Sequence, residues 1–228
     1  MDGKQQRRTI VKIEAVVFDF DGVCIDTEMA RFTSWQQIYT SFGLELPMAE
    51  WIKNIGKASW VSDPFIYLQR QLGKPLSREE LNTRHRVTET AIADTLPLQP
   101  GFSARLEEAR SLNVPCAIAS SSSHNWVDGH LQRRGLFELF SVTVCREDTA
   151  THKPEPEPYL SALQRIGINS THAVAVEDSP PGIASAKAAG LFCIAVPCSI
   201  TSGMDFSEAD LIVSSLEEVS FLEMMNTL

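Results

Sequence analysis

Two carboxylates one residue apart, Asp19 and Asp21, close an apolar run in the segment Glu14 to Asp26, which reads EAVVFDFDGVCID. Like charges this near repel, and acids are seldom fully buried unless paired. The carboxyl end of a hydrophobic strand is where open α/β sheets hold their ligands. A carboxylate so placed can attack phosphorus and form an acyl phosphate. A second one can protonate the leaving oxygen and afterwards activate water. Gly22, directly after the pair, permits the sharp turn that such a loop needs.

Three further stretches place polar groups after apolar runs. Ser120 to Ser123 follow PCAIA and precede a helical pattern, so their hydroxyls and free N–H groups suit a phosphate, although serines at such places are commonly caps and turns. His152-Lys153-Pro154 opens a proline-rich turn, and its lysine would neutralise a phosphoryl group, or would simply sit in solvent. Glu177-Asp178-Ser179 ends the run AVAV; two adjacent acids suit a hard divalent cation such as Mg²⁺, or a helix N-cap. Each has an ordinary explanation alone. In a parallel sheet all four strand ends would meet at one edge. Attack of a carboxylate on a phosphate dianion requires the neutralising charge that such a meeting supplies.

The elements that must position these groups can be read from periodicity. Short apolar runs rich in β-branched residues predict strands at Ala15–Phe18, Pro115–Ala119, Ser141–Cys145, Ala173–Val176, Phe192–Val196 and Asp210–Val213. Between them lie amphipathic stretches at Phe102–Leu112, Trp126–Arg134, Tyr159–Ile166, Ile183–Ala189 and Leu216–Met224. Gly135, Gly167 and Gly190 read as helix C-terminal caps, Ser179-Pro180 as a helix start, and Ser215 with Glu218 as a capping box. This alternation predicts an α/β fold with a doubly wound parallel sheet. The segment from Thr27 to Leu98 breaks it. Helical spacing around Phe32, Trp35, Ile38, Tyr39 and Phe42, and a capping box at Ser77 and Glu80, predict a helical insert. The expected division is a core of residues 10–27 and 99–228 with a cap of residues 28–98.

With D-x-D-G-V, the strand-end serine, K-P and the run E-D-S-P-P-G-I in this order, the chain resembles the haloacid dehalogenase superfamily, in its β-phosphoglucomutase-like subgroup. The resemblance extends from about Ile13 to Val213. It implies a Rossmann-like core with a helical cap that closes over it, excluding water and choosing substrates. It implies Asp19 as nucleophile, Asp21 as general acid and base, and Ser120, Ser121 and Lys153 as phosphate contacts. Mg²⁺ would be held by Asp19, the Asp21 backbone carbonyl, Glu177 and Asp178. The chain departs from the mutases in its cap: Arg31 stands where they carry a histidine, and Gly56-Lys57-Ala58-Ser59 offers serine where they carry an arginine. A phosphatase acting on a small phosphorylated metabolite, sugar phosphate-like, is therefore expected, with β-phosphoglucomutase-type transfer as the alternative. Asp21 itself speaks against dehalogenase and phosphonate-cleaving relatives, which lack that second acid.

Arg31, Lys53 and Lys57 are candidate substrate contacts from the cap. Trp35, Trp51 and Trp60 are read as packing, and His85, His124 and His152 lack metal-ligand spacing. A net charge of −9 argues against nucleic-acid or membrane partners. The five cysteines show no C-x-x-C pair and suit reduced thiols in a cytoplasmic protein; Cys24 alone lies near the acid pair. A monomer is expected.

Overall fold

The computed structural model describes residues 12–55, 59 and 61–226. Six strands form one parallel sheet: β1 (Ala15–Phe18), β2 (Cys116–Ala119), β3 (Val142–Val144), β4 (Ala173–Glu177), β5 (Phe192–Ala195) and β6 (Leu211–Ile212), in the order β3-β2-β1-β4-β5-β6. The strand order turns around at β1, between β2 and β4, so the crevice at its carboxyl end is the topological switch point.

Successive residues along a strand face opposite sides, and here the two sides differ in size. Val16, Phe18, Ile118, Val174, Val176 and Ile194 face the helices α5 (Phe102–Ser111), α6 (His124–Arg133) and α9 (Phe221–Asn226). On this side Phe18 meets Phe102 edge to face, with centroids 5.3 Å apart; truncating it to alanine would cost about 3–5 kcal/mol. The other side is mostly alanine (Ala15, Ala117, Ala119, Ala173, Ala175, Ala195), and α7 (Glu157–Ile166) and α8 (Pro180–Ala188) rest on it through Tyr159, Ala162, Ile183 and Ala186.

Residues between β1 and α5 are helical: α1 (Thr27–Ser41), α2 (Met48–Trp51), α3 (Pro64–Leu72) and α4 (Arg78–Thr95). Asp26 caps α1 by accepting from the Met29 N–H, and Ser77 caps α4 by accepting from the Glu80 N–H. These helices enclose an apolar cluster of their own, with Trp35, Ile38, Tyr39, Trp51, Phe65 and Leu68 all buried. The two connections to the sheet run side by side, tied by Gln99, whose backbone N–H donates to the Cys24 carbonyl and whose side chain donates to the Gly22 carbonyl, both at 2.9 Å.

Gly135, Gly167 and Gly190 take positive φ after their helices, and Ser179 caps α8 through the Gly182 N–H, as the sequence indicates. The C-terminal segment differs from expectation. Instead of one helix over Leu216–Met224, a short 3₁₀ turn at Leu216–Glu218 is followed by α9. Val219 between them is extended, because Glu108 of α5 accepts from the backbone N–H groups of Phe221 and Leu222 and so supplies a fresh start. The capping pair at Ser215 is also displaced by one residue: Ser215 accepts from the Glu217 N–H, while the Glu218 carboxylate takes the Ser214 N–H. All five cysteines are buried free thiols. No helix among the described residues is long and apolar enough to cross a membrane.

Candidate active site

Asp19 follows β1 directly and its N–H still pairs with the Val176 carbonyl at 2.9 Å, so the sheet fixes its backbone. The chain then turns back on itself, with the Gly22 N–H donating to the Ile25 carbonyl at 2.7 Å. Gly22 has φ +84°, and a Cβ on it would fall 2.0 Å from Asp178 Oδ2. No other residue type fits there without displacing Asp178.

The ends of β1 and β4 bring Asp19, Glu177 and Asp178 together, each buried and each offering an oxygen within 4.8 Å of the others. Lys153 lies among them, donating to Asp19 Oδ1 at 2.8 Å and to Glu177 Oε1 at 2.6 Å. The Tyr159 hydroxyl adds a third donor to the cluster, on Glu177 Oε1 at 2.6 Å. One ammonium thus stands among three buried acids and pairs with two of them. Burial, added to by the charges of Glu177 and Asp21 and countered by Lys153, pushes Asp19 up to about 8. Burial and the charges of Asp19 and Glu177 push Asp178 well above the carboxylate range. Burial opposes the charge on Lys153, but Asp19 and Glu177 outweigh it and hold the ammonium above its ordinary value. Asp178 Oδ2 is buried without a hydrogen-bond partner. A hard cation fits this set: it needs oxygen ligands, would take the orphaned oxygen, and would supply the charge that Lys153 alone does not.

Asp21 has a different setting. Its Oδ1 accepts from Thr27 Oγ1 at 2.5 Å and from the Trp126 indole N–H at 2.9 Å, and its Oδ2 accepts from Ser122 Oγ at 2.5 Å. Burial would raise this carboxyl, but the Arg31 guanidinium and these donors outweigh it and hold Asp21 below its ordinary value. The two acids of one loop are thus driven in opposite directions, one by desolvation and crowding, the other by the Arg31 charge and its donors.

Both open into a cavity of about 380 Å³, lined on the core side also by Ser121, Ser122 and Lys153 and on the helical side by Glu28, Arg31 and Glu89. Ser121 Oγ is buried with no partner, as a group awaiting a ligand would be. The buried Ser120 hydroxyl is engaged, accepting from the Ser122 N–H at 3.0 Å and donating to Asp21 Oδ2 at 3.5 Å. Arg31 reaches the cavity wall but is engaged there, bonded to Glu28 at 3.0 Å and Glu89 at 2.8 Å. Glu28 is pushed up to about 7 by burial and by the neighbouring carboxylates, with Arg31 acting against them. Lys53 pairs with Glu50 at 2.7 Å. Lys57, with Gly56 and Trp60, lies outside the described residues.

Spacing along the chain does not reveal Thr27, Trp126, Tyr159, Glu28 or Glu89, which reach the site through tertiary packing. The same holds for His124: its ring nitrogens meet Asp128 at 2.8 Å and Asp148 at 2.6 Å, and Cys145 joins it and Asp148 in a second group of close ligand atoms, so the absence of a spacing motif is no guide there. Cys24 is buried, and burial together with the nearby acids pushes its thiol well above its ordinary value, which removes it from the reactive class.

The haloacid dehalogenase-like hydrolase family model matches residues 16–196. The Bacillus subtilis protein named "Putative phosphatase YhcW" is 37% identical over 216 residues, covering 95% of this chain and 98% of that protein. The phosphorylated carbohydrates phosphatase of Thermotoga maritima is 27% identical over 190 residues, covering 78% and 82%. Among solved structures, that of CbbY from Rhodobacter sphaeroides in complex with xylulose-(1,5)bisphosphate superposes with a TM-score of 0.77 at 25% identity, covering 91% of this chain and 96% of that one. Site geometry, sheet order and these likenesses agree: the chain belongs to the haloacid dehalogenase-like hydrolase family, as a phosphomonoester hydrolase of its β-phosphoglucomutase-like group.

Proposed function

We propose that this protein is a Mg²⁺-dependent phosphatase of a small phosphorylated, sugar-like metabolite, working through an aspartyl-phosphate on Asp19. The observation that carries the reading is the buried set of three acids around one lysine, opening into a cavity beside an unpartnered serine hydroxyl. Asp19, Glu177, Asp178 and the Asp21 carbonyl would hold the ion, which when bound supplies positive charge against a phosphoryl group. Lys153 adds a fixed ammonium at Asp19, so that an anionic nucleophile and an anionic phosphate can approach each other. Ser121 would donate to a phosphoryl oxygen. Asp19 attacks phosphorus, and Asp21 gives a proton to the departing ester oxygen. The Asp21 carboxylate then takes a proton from the water that hydrolyses the acyl phosphate.

The helical segment 28–98 would form the substrate-selecting wall. Arg31, bound by two glutamates, presents to substrate mainly the carboxylates it holds, which suits hydroxyl groups. Hydrolysis is favoured over return of the phosphoryl group because Arg31 occupies the place of the mutase histidine. A panel of phosphorylated metabolites assayed with Mg²⁺ tests the reading. Asp19→Asn should lose at least about 10⁴-fold in kcat with the fold intact; comparable turnover in that variant would sink it. Glucose 6-phosphate formed from β-glucose 1-phosphate and catalytic bisphosphate would favour the mutase instead.

A further inference from the structure

We infer that Trp126 is a positioning residue for Asp21: its indole N–H pins Oδ1 and so fixes how the carboxylate faces the cavity during turnover. This rests on the reading of Asp21 as general acid and base. An indole N–H only donates, whereas a hydroxyl both donates and accepts. Oδ1 lies 2.9 Å from Trp126 Nε1. The Thr27 hydroxyl, 2.5 Å from the same oxygen, can turn, but the indole N–H cannot, and in a buried place an unmade hydrogen bond is costly. Oδ2 faces the hydroxyls of Ser122 at 2.5 Å and Ser120 at 3.5 Å, and these can turn to accept. Among these hydroxyls the indole is the donor whose direction cannot change, so it sets how the carboxylate faces the cavity that both residues line.

The indole is itself held in place. Trp126 sits in the first turn of α6, where its backbone N–H donates to the Ser123 hydroxyl at 3.4 Å. The His130 ring, fully buried, stands edge-on to it with centroids 4.3 Å apart. Phe20, the residue between the two acids, lies 6.0 Å from the same histidine ring. The loop bearing Asp19 and Asp21 and the helix bearing Trp126 are therefore clamped through His130, and the indole arrives at Oδ1 with little freedom to be elsewhere.

The experiment replaces Trp126 in the full-length protein with 3-benzothienylalanine, which keeps the ring shape and puts sulfur where the N–H was, beside Trp126→Phe. Both variants should fold, by circular dichroism and thermal melt, with kcat about ten- to a hundredfold lower and KM within about twofold. An unchanged kcat in the benzothienyl variant overturns the inference, as does a loss confined to KM. A second readout needs no turnover: the ¹H–¹⁵N indole resonance of Trp126, assigned by its absence in Trp126→Phe, should move in Asp21→Ala. A resonance that stays put overturns the contact. If it moves in a protein that hydrolyses no phosphate ester, the contact stands and the phosphatase reading fails instead.

Discussion

The core wall of the cavity is assembled by strand ends, the helical wall by the packing of α1 on α4, and their charges behave accordingly. At the core, Asp19, Glu177 and Asp178 exceed Lys153 in number, and the set is left short of positive charge. Across the cavity, Arg31 is matched by Glu28 and Glu89, and Glu89 also meets His85 at 3.3 Å. That last contact is not an ion pair, because burial, with Arg31 and Arg86 adding to it, pushes the imidazole down to about 3 and keeps it neutral. One wall is incomplete without something from solution; the other is satisfied within itself. The proposed function places chemistry where charge is lacking, and selection where polar groups are held still.

Four tests strain this contrast. Lys153→Met should have the largest effect, leaving Asp19 and Glu177 buried without their cation: turnover lost on every substrate, and about 3–5 kcal/mol of stability with it, read by urea melts. A variant still active and stable would remove the core wall's special status. His85→Gln tests the helical wall. A histidine neutral in the folded state and free to charge when unfolded costs stability as pH falls through 6.5 towards 3. The native protein should lose a few kcal/mol over that span beyond what the variant loses; parallel pH curves would contradict the neutral imidazole. Mg²⁺ at a hundredfold its Kd should raise stability by about 2.7 kcal/mol in the wild type. In Asp178→Asn the melting shift should be small. The least effect on chemistry is expected from Arg31→Met, which should reorder KM values across a phosphate-ester panel by about tenfold while kcat on the best substrate stays within about threefold. A uniform fall in kcat would move Arg31 to the chemical side of the contrast.

The same contrast explains what could be read from the chain. Strand ends are local: an apolar run, a carboxylate and a glycine lie within a few residues, and one parallel sheet then brings Asp19, Lys153, Glu177 and Asp178 together. Six strands, and the edge where their ends meet, were legible for that reason. Trp126 and Tyr159 were not, because each reaches an acid more than fifteen residues away by the rotation of a helix, which periodicity does not set to within a bond length. Arg31 was legible as a cation but not as an engaged one, since its partner Glu89 lies 58 residues along the chain. The break between Leu216 and Phe221 was hidden similarly, because the capping acid Glu108 is supplied from another helix.

The alanines on one face of the sheet act as a gauge for the active site. Helix α7 rests on them, and α7 carries Tyr159, whose hydroxyl reaches Glu177 at 2.6 Å. Enlarging Ala175 or Ala117 by two methyl groups would lift that helix as a body, and the tyrosine would lose its reach without itself being changed. Volume is therefore more freely exchanged among the large side chains opposite, where Phe18, Phe102 and Phe140 interlock, than on the side where the smallest residues set the thickness of the molecule.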